Sequence, residues 1–525
     1  MSAVRIPSRS TTIVVTLALV AAVWASGGNV SGAQAPDAPE AGAAALNDYG
    51  PTGRAPSGGV LPGRKSGTNR WRYRGTMGRI DPNEQVVEPV VAPPEDDPDV
   101  APLTGLPAGR LNRRAIVIKI DNVGPARPQF NINAADIVYE ELVEAGATRL
   151  AAVYHSERET TVGPVRSART TDIGIAASFS RPVFAFSGAN SIVERLVADA
   201  PLIDRGAESR GDLYRRLGGR PAPHNLLTST TSLENAAPKG PGPQPHFVYR
   251  ADGDQVGADV PTAHTIQLRY LQGAGVPVRY EWDPRIEGWR RWQNNRRHVD
   301  AAGVQVAPAN VVVQIVPYED AGMTDKFGED LYEAEMLGNG EALIFTDGHV
   351  YEATWTKPTL RSVTTYTDAD GNHIELTPGR TWVALVPPGG VTFNSYRCRG
   401  QVATVAGGAG DDRLVGTAEA DVIAGGPGND LIHAGGGDDL VCGGGDDDRV
   451  FGDAGDDILL GQGGNDDLRG GEDGDLLNGG RGNDQLHGGP GGDTLRGKRG
   501  SDQLFGNADE DQFGGAELDV IVRGQ

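Results

Sequence analysis

The apolar positions along the chain follow three separate patterns. Between residues 102 and 393 they come as short runs of β-branched and aromatic residues bounded by turn residues, which predicts strands. AIVIKI (115–120), DIVYEELV (136–143), LAAVYHS (150–156) and PVFAFSG (182–188) are the first four. NSIVERLVADA (190–200) instead carries Ile192, Leu196 and Val197 at helical spacing and predicts a helix. Beyond about Pro261 strands dominate: NVVVQIVPY (310–318), EALIFTDG (341–348), YEATWTK (351–357) and TWVALVP (381–387), with turn signals such as DADGN (368–372) between them. PKGPGPQP and the polar stretch after it place a boundary near 245–262. The expectation is a mixed α/β head in two parts, 102–250 and a mostly β 262–393.

The second pattern lies at the N-terminus. Arg5 and Arg9 precede Thr11–Ala25, an uninterrupted, mostly apolar run of 15 residues followed by small residues, with cleavage points after Ala25 or Ala33. That length fits the core of an export signal over residues 1–33 better than a membrane span, which needs about 20 residues. The alternative is an uncleaved single-helix anchor, so no stable membrane span is expected unless the signal is retained. Either way the remainder lies outside the cytoplasm, secreted or at the cell surface, where calcium and an oxidising environment are available. Residues 34–101, rich in Pro, Gly, Ala and Asp without apolar periodicity, read as a disordered linker. Its basic, aromatic patch RKSGTNRWRYRGTMGR (64–79) suits contact with an anionic cell-wall or surface polymer; as solvated linker charge it needs no partner.

The third pattern is a nine-residue period from Gly407 to Gly514, twelve units with no slip. Position six is Asp in every unit: Asp412, Asp421, Asp430, Asp439, Asp448, Asp457, Asp466, Asp475, Asp484, Asp493, Asp502 and Asp511. Position eight is apolar in every unit, from Leu414 and Ile423 through Leu459 and Leu468 to Phe513. One large apolar residue in nine is too few for a helix face or a sandwich. It suffices for a short strand whose single inward side chain stacks on those above and below it. The glycines of the first half then turn the chain through positive φ values that other residues resist. Two units make one coil of about 18 residues, and coils stacked at the strand spacing of about 4.8 Å build a right-handed parallel β-roll. An acidic, Gly-rich disordered tail is the alternative; the unbroken position-eight column argues against it.

Charge sharpens this reading. The chain of 525 residues carries 48 Lys+Arg against 70 Asp+Glu, net −22, and the stretch from Val405 onward holds 26 acidic and 8 basic residues, −18 of that total. It also holds 32 of the 75 glycines between Gly407 and Gly514. Such acidity argues against nucleic acid as a partner and favours metal cations. Stacking places the position-six carboxylates in two rows, where like charges repel unless a cation sits between turns. Ca²⁺ accepts six to eight oxygens from carboxylates and carbonyls alike, whereas Mg²⁺ demands tighter geometry. The unit resembles the GGxGxDxUx nonapeptide of the repeats-in-toxin, or haemolysin-type, calcium-binding family. The resemblance implies Ca²⁺ held by the position-six carboxylates with carbonyls from the preceding loop. Position four departs from Gly at Glu419, Asp446, Asp473 and Asp509, which predicts distorted sites or an extra carboxylate there. Repeats-in-toxin proteins often leave by a one-step exporter; the N-terminal signal points to general secretion instead.

Two constellations in the head carry candidate chemistry. In TVGPVRSARTTD (161–172), Pro164 suits the first turn of a helix, which would set Arg166 and Arg169 on one face with Asp172 a turn later. Glu140, Glu141, Glu144 and Arg149 lie nearby in sequence, and APHN (222–225) adds His224, a proton carrier near neutrality. Arg166, Arg169 and His224 are therefore the candidate catalytic residues of an anion-binding or acid–base cleft in a cell-envelope enzyme. A structural ion-pair network is the competing reading. The non-catalytic one is favoured, because the region offers no GxSxG, no HExxH and no cysteine. GWRRWQNNRRHVD (288–300) interleaves Trp289 and Trp292 with arginines, either to stack on sugars or bases or as a hairpin turning at Asn294–Asn295.

PLTGLP (102–107), IDNVGPARPQ (120–129), ADIVYEELVEAGATR (135–149), VGPVRSAR (162–169) and PHN (223–225) resemble the N-terminal half of the YerB-like lipoproteins. NVVVQIV, FTDGHVYEATWTK and LTPGRTWVALVP resemble the C-terminal half. The resemblance implies an extracytoplasmic bacterial protein and no particular reaction. No cysteine stands near the N-terminus, so attachment by lipid is not implied. The two cysteines exclude a disulfide-rich scaffold and a four-cysteine zinc site. Cys398 and Cys442 are expected to pair, closing a loop of about 44 residues that pins the first coils to the head; two free thiols are the alternative.

Overall fold

The computed structural model describes residues 100–522 apart from 110, 252–253, 255, 258–259, 272–275, 326–327, 409, 508–510 and 515–518. The expected export signal, the linker as far as residue 99 and the basic patch lie outside the described residues. Ile116–Asp121 is buried along its whole length, so both of its faces are covered. It belongs to a ten-stranded mixed sheet. From edge to edge the order is Thr365–Thr367, His349–Lys357, Gly338–Thr346, Asn310–Ile315, Thr381–Val386, Ile137–Leu142, Thr148–Tyr154, Ile116–Asp121, Val183–Ala185 and Ile203–Asp204. Thr381–Val386 is the junction: it runs parallel to Asn310–Ile315 on one side and to Ile137–Leu142 on the other, with Thr381 opposite both Asn310 and Ile137. Residues from both sides of the 245–262 break thus share one sheet.

Each face of that sheet has its own core. On one face Val117, Val153, Phe184 and Val383 pack with Ile173 and Val193 of two helices and with Met323 of a hairpin. On the other, Ile118, Leu150, Val311 and Trp382 pack with Ile266, Tyr280 and Trp289 of a five-stranded antiparallel sheet. The helix expected at 190–200 spans Ser191–Asp199, and Asn190 caps it by accepting a hydrogen bond from the Ile192 N–H at 2.9 Å. The helix expected from Pro164 does not start there. Pro164–Arg166 runs extended beside Ile116–Asp121, with Asp121 N donating to Pro164 O at 2.9 Å and Arg166 N donating to Lys119 O at 2.8 Å. The helix begins at Thr170, where Asp172 Oδ2 accepts the Arg169 N–H at 2.7 Å, so Arg169 is its cap and Arg166 lies outside it.

GWRRWQ forms the strand Gly288–Gln293 and turns back to Arg296–Arg297 through Asn294 and Asn295, with φ of 54° and 55°. That is the hairpin reading, in the turn that favours Asn. Trp289 is fully buried between the sheets, so it presents no stacking face to a ligand.

The C-terminal part is a parallel β-roll of two seven-stranded sheets. Each strand pairs with the one 18 residues on: Ile423 lies opposite Val441, Val441 opposite Leu459, and Ile432 opposite Val450. The position-eight residues from Leu414 to Leu504 line one continuous interior, joined at the ends by Val405 and Phe513. A strand beyond the twelfth unit, Val520–Val522, extends one sheet, with Ile521 opposite Leu504. It follows a one-residue slip: Asp519 Oδ1 accepts from Asp502 N at 3.3 Å, 17 residues away in place of 18. At the other end a short hairpin, Arg397–Cys398 with Gln401–Val402, lies on the outside of the roll. Cys398 is bonded to Cys442 there, with Cα atoms 5.6 Å apart, among Leu440, Val422 and Ile458.

Candidate functional site

The position-six aspartates stand in two rows, one under each turn of the roll. Asp421, Asp430, Asp439, Asp448, Asp457, Asp466, Asp475, Asp484, Asp493 and Asp502 are buried, while Asp412 and Asp511 at the two ends are partly exposed. Each side chain reaches back one coil. From Asp430 to Asp511, Oδ1 accepts the backbone N–H of the aspartate 18 residues earlier at 2.6–3.1 Å. Position five, which the sequence reading did not single out, reaches the opposite way. Asp411, Asn429, Asp447, Asn465 and Asn483 each accept through Oδ1 from the backbone N–H one coil later at 2.7–2.9 Å, and Asp438 and Asp456 do so in the other row at 3.1 and 2.9 Å. The signal was present: position five is Asp or Asn in seven of the twelve units.

The second carboxylate oxygens behave differently. Oδ2 of Asp430, Asp439, Asp448, Asp457, Asp466, Asp475, Asp484 and Asp502 is buried and has no hydrogen-bond partner among the described residues. Leaving a buried charged oxygen so costs more than the hydrogen bond itself returns. A Cβ placed on Gly461 would strike both Asp466 Oδ2 and the carbonyl oxygen of Gly479 in the next coil, so the two oxygens converge on the space that only a glycine leaves open. Gly470 stands likewise between Asp475 Oδ2 and the Gly488 carbonyl. A carboxylate oxygen and a carbonyl from the adjacent turn are a hard-cation donor set. Among the described residues no three His, Cys, Asp or Glu side chains converge on one point.

Electrostatics point the same way. Burial first, and the neighbouring aspartates after it, push the carboxyls of Asp430, Asp457 and Asp484 up to about 6, those of Asp439, Asp466 and Asp475 to about 7, and that of Asp448 to about 8. A cation between turns favours the charged form of these carboxyls and offsets that upward push. At position four, Asp446 and Asp473 hold φ of 72° and 75°, the positive-φ backbone that Gly takes in the family pattern. Asp509 lies outside the described residues.

In the head, the expected trio is divided. Asp121, at the end of its strand and buried, accepts from His224 Nδ1 at 2.7 Å. Arg166 Nε lies 3.1 Å from the same Asp121 Oδ2, in an ion-pair contact. Both side chains keep about a fifth of their surface exposed, 20% for Arg166 and 19% for His224. Arg169 is elsewhere: it and Arg149 clamp Glu144, with Arg169 Nε donating to Oε2 at 2.9 Å. Burial pushes the Glu144 carboxyl up, and the two arginines outweigh it, holding it at about 2. Glu141 pairs with Lys119, which also donates to Asp172 at 2.7 Å, all three fully buried. Burial and then Asp172 raise Glu141 to about 7 against the pull of Lys119. Arg291 Nη2 donates to both Glu140 oxygens, at 2.9 Å to Oε1 and 2.8 Å to Oε2, and Glu140 also accepts from Trp382 Nε1 at 3.1 Å and from Thr148 Oγ1 at 2.8 Å. A nearby cleft of about 460 Å³ is lined by Ser187, Glu208, Tyr214, Arg215, Pro223 and Leu226, and none of the three expected residues faces it. Asp121 is the partner that sequence reasoning passed over; it stood inside the IDNVGPARPQ motif.

A parallel roll with an aspartate row under each turn, set after a two-sheet head, defines a protein with a repeat-built calcium-type module. Residues 406–517 match the RTX calcium-binding nonapeptide repeat. Residues 103–242 match the N-terminal domain, and 266–383 the C-terminal domain, of the protein family of unknown function DUF3048. The chain thus carries both DUF3048 domains followed by RTX repeats. It is 27% identical over 297 residues to the YerB protein of Bacillus subtilis strain 168, covering 55% of this chain and 86% of that one. A crystal structure of Bacillus subtilis YerB has the fold of the head, with a TM-score of 0.50 and 24% identity over 56% of this chain and 99% of the other.

Proposed function

We propose that this is an exported calcium-binding protein in which Ca²⁺ is held between successive turns of the roll by the position-six aspartates. The observation that carries the reading is the row of buried Oδ2 atoms facing carbonyl oxygens of the next turn. Calcium supplies the positive charge that lets these carboxylates ionise inside a compact stack; the aspartates supply one oxygen each, and the loop carbonyls complete the shell. Export places the roll where calcium is abundant, so the array folds once outside the cell. Support for export comes from Arg5, Arg9 and the apolar run Thr11–Ala25. Titration of the full chain with calcium, followed by far-ultraviolet circular dichroism, tests the reading. A gain of β signal with a midpoint on the order of 10⁻⁴ to 10⁻³ M is expected, as for extracellular modules; an identical spectrum in chelator and in millimolar Ca²⁺ overturns it.

A second reading concerns the head. His224 is oriented by a buried carboxylate at 2.7 Å and partly open to solvent, which favours acid–base or anion-binding work at Asp121, Arg166 and His224. Arg169, closed off by Glu144, takes no part in it. A pH titration of the His224 ring by NMR, with and without wall-polymer fragments, tests this: an unmoved ring titration rejects it.

A further inference from the structure

The first coil of the roll differs from the coils that carry the unpartnered Oδ2 atoms. In the second unit, Asp421 Oδ2 accepts from the Thr417 backbone N–H at 2.7 Å and from the Thr417 hydroxyl at 2.9 Å. Its Oδ1 accepts from the Thr404 hydroxyl at 2.6 Å. In the first unit, Asp412 Oδ2 accepts from Gly408 N at 2.6 Å. On the head side stands a protein cation. Arg285, held by Asp283 at 3.0 and 3.2 Å, projects against this coil, where a Cβ on Gly410 would come 3.0 Å from Arg285 Nη1. Pro284 lies against Gly408 in the same way. The head also grips the chain just before the coil: the Thr262 hydroxyl donates to Ala403 O at 2.8 Å, and His349 Nε2 meets Thr404 O at 3.2 Å. These substitutes are absent at Asp430, Asp439 and the successors named above, whose Oδ2 atoms have no hydrogen-bond partner among the described residues.

We propose that the metal sites begin at the third unit, and that residues 407–424 form a metal-independent coil, its carboxylates satisfied by Thr404, Thr417 and the Gly408 backbone N–H and its outer side flanked by Arg285, on which the calcium-dependent coils stack from the head outward. This rests on the calcium reading of the roll. The physics is that of a one-dimensional array: a coil gains stability only from its neighbours, so a first coil folded without ligand removes the cost of nucleating the stack. The head therefore serves as the roll's end cap.

Hydrogen exchange of the full, oxidised chain, resolved by peptide, tests the assignment. In chelator, amides of 407–424 are expected to exchange at least about tenfold slower than those of 443–514, and calcium is expected to slow the second segment while changing the first little. Thr417→Val removes the hydroxyl bond to Asp421, and in chelator it is expected to erase the protection of 407–424, while 443–514 still closes on adding calcium but at a higher midpoint. If both segments are equally open in chelator and close together on adding calcium, the assignment is overturned while the calcium reading stands. If calcium protects neither segment, the calcium reading falls and takes the assignment with it. Retained protection of 407–424 in Thr417→Val overturns the role given to that side chain.

Discussion

Asp457 Oδ1 accepts the backbone N–H of Asp439, 2.8 Å away and one coil earlier, while its own N–H donates to Asp475 Oδ1 at 2.9 Å. A central aspartate is thus tied to both neighbours. Asp511 accepts from Asp493 at 3.1 Å and lies partly exposed near the end of the stack. Asp457→Ala should therefore cost about 1–3 kcal/mol of roll stability, as the loss of a buried charged partner does. It should also raise the calcium midpoint well above that of Asp511→Ala. Calcium titrations of the two variants by circular dichroism check this; coincident midpoints contradict it.

The same rows predict an inverted pH dependence in chelator. Unfolded, aspartates ionise near 3.9; folded without metal, those of the central roll hold protons up to about 6 to 8. Their contribution to stability is full below about pH 4 and is lost as pH rises through that upper range. The chelated roll should be more ordered at pH 5 than at pH 8. In millimolar calcium the order should reverse, because protons compete with the metal. Circular dichroism at both pH values, with chelator and with calcium, reads the crossover; a chelated roll that gains order with rising pH refutes it.

Arg291 and Glu140 are fully buried partners from opposite sides of the 245–262 break. Arg291→Met leaves Glu140 charged and uncompensated, which should destabilise the head by about 3–5 kcal/mol. Arg291→Met combined with Glu140→Gln should recover a large part of that. Urea unfolding of the three proteins, followed through the tryptophan signal, measures it. A double variant no more stable than the single one would show that the charge pair is not what is lost.

Replacing Cys398 and Cys442 by Ser opens a loop spanning 44 residues. In the chain-entropy model the change costs about 4 kcal/mol. The loss should appear as a higher calcium midpoint of the roll, since the bond ties the second coil to the hairpin at Cys398. Non-reducing peptide mapping of the secreted chain reports the pairing directly, and recovery of both thiols alkylated without reduction rules it out.

The roll was legible in sequence because its information is periodic. Asp at position six and an apolar residue at position eight fix coil length, interior and carboxylate rows without any long-range knowledge. What the period hid was Val520–Val522, where Asp519 arrives one residue early and breaks the count. In the head the strands were legible from local runs, such as the one that became Ile116–Asp121. The joining of both halves through Thr381–Val386 was not, because pairing between residues 137 and 381 leaves no local mark. The ion pairs split for the same reason. Spacing put Arg166 and Arg169 on one helix, whereas Asp172 started that helix at Thr170 and left Arg166 to meet Asp121 and His224, which lie 103 residues apart.

The 18-residue register has a consequence for how this array can change length. Alternate units belong to opposite walls, so the outer face has a parity. On one wall His433 stacks on Phe451 and His487 on Phe505, with centroids 4.4 Å apart in each pair. Deleting one nonapeptide keeps the interior column intact but moves every later unit to the other wall. Deleting the unit 461–469, for instance, would leave Phe451 beside Asn478 and carry His487 across to the wall of Leu460. Deleting two preserves the wall of every survivor. An array of this kind can lengthen or shorten freely in whole coils, while a half coil exchanges its two faces.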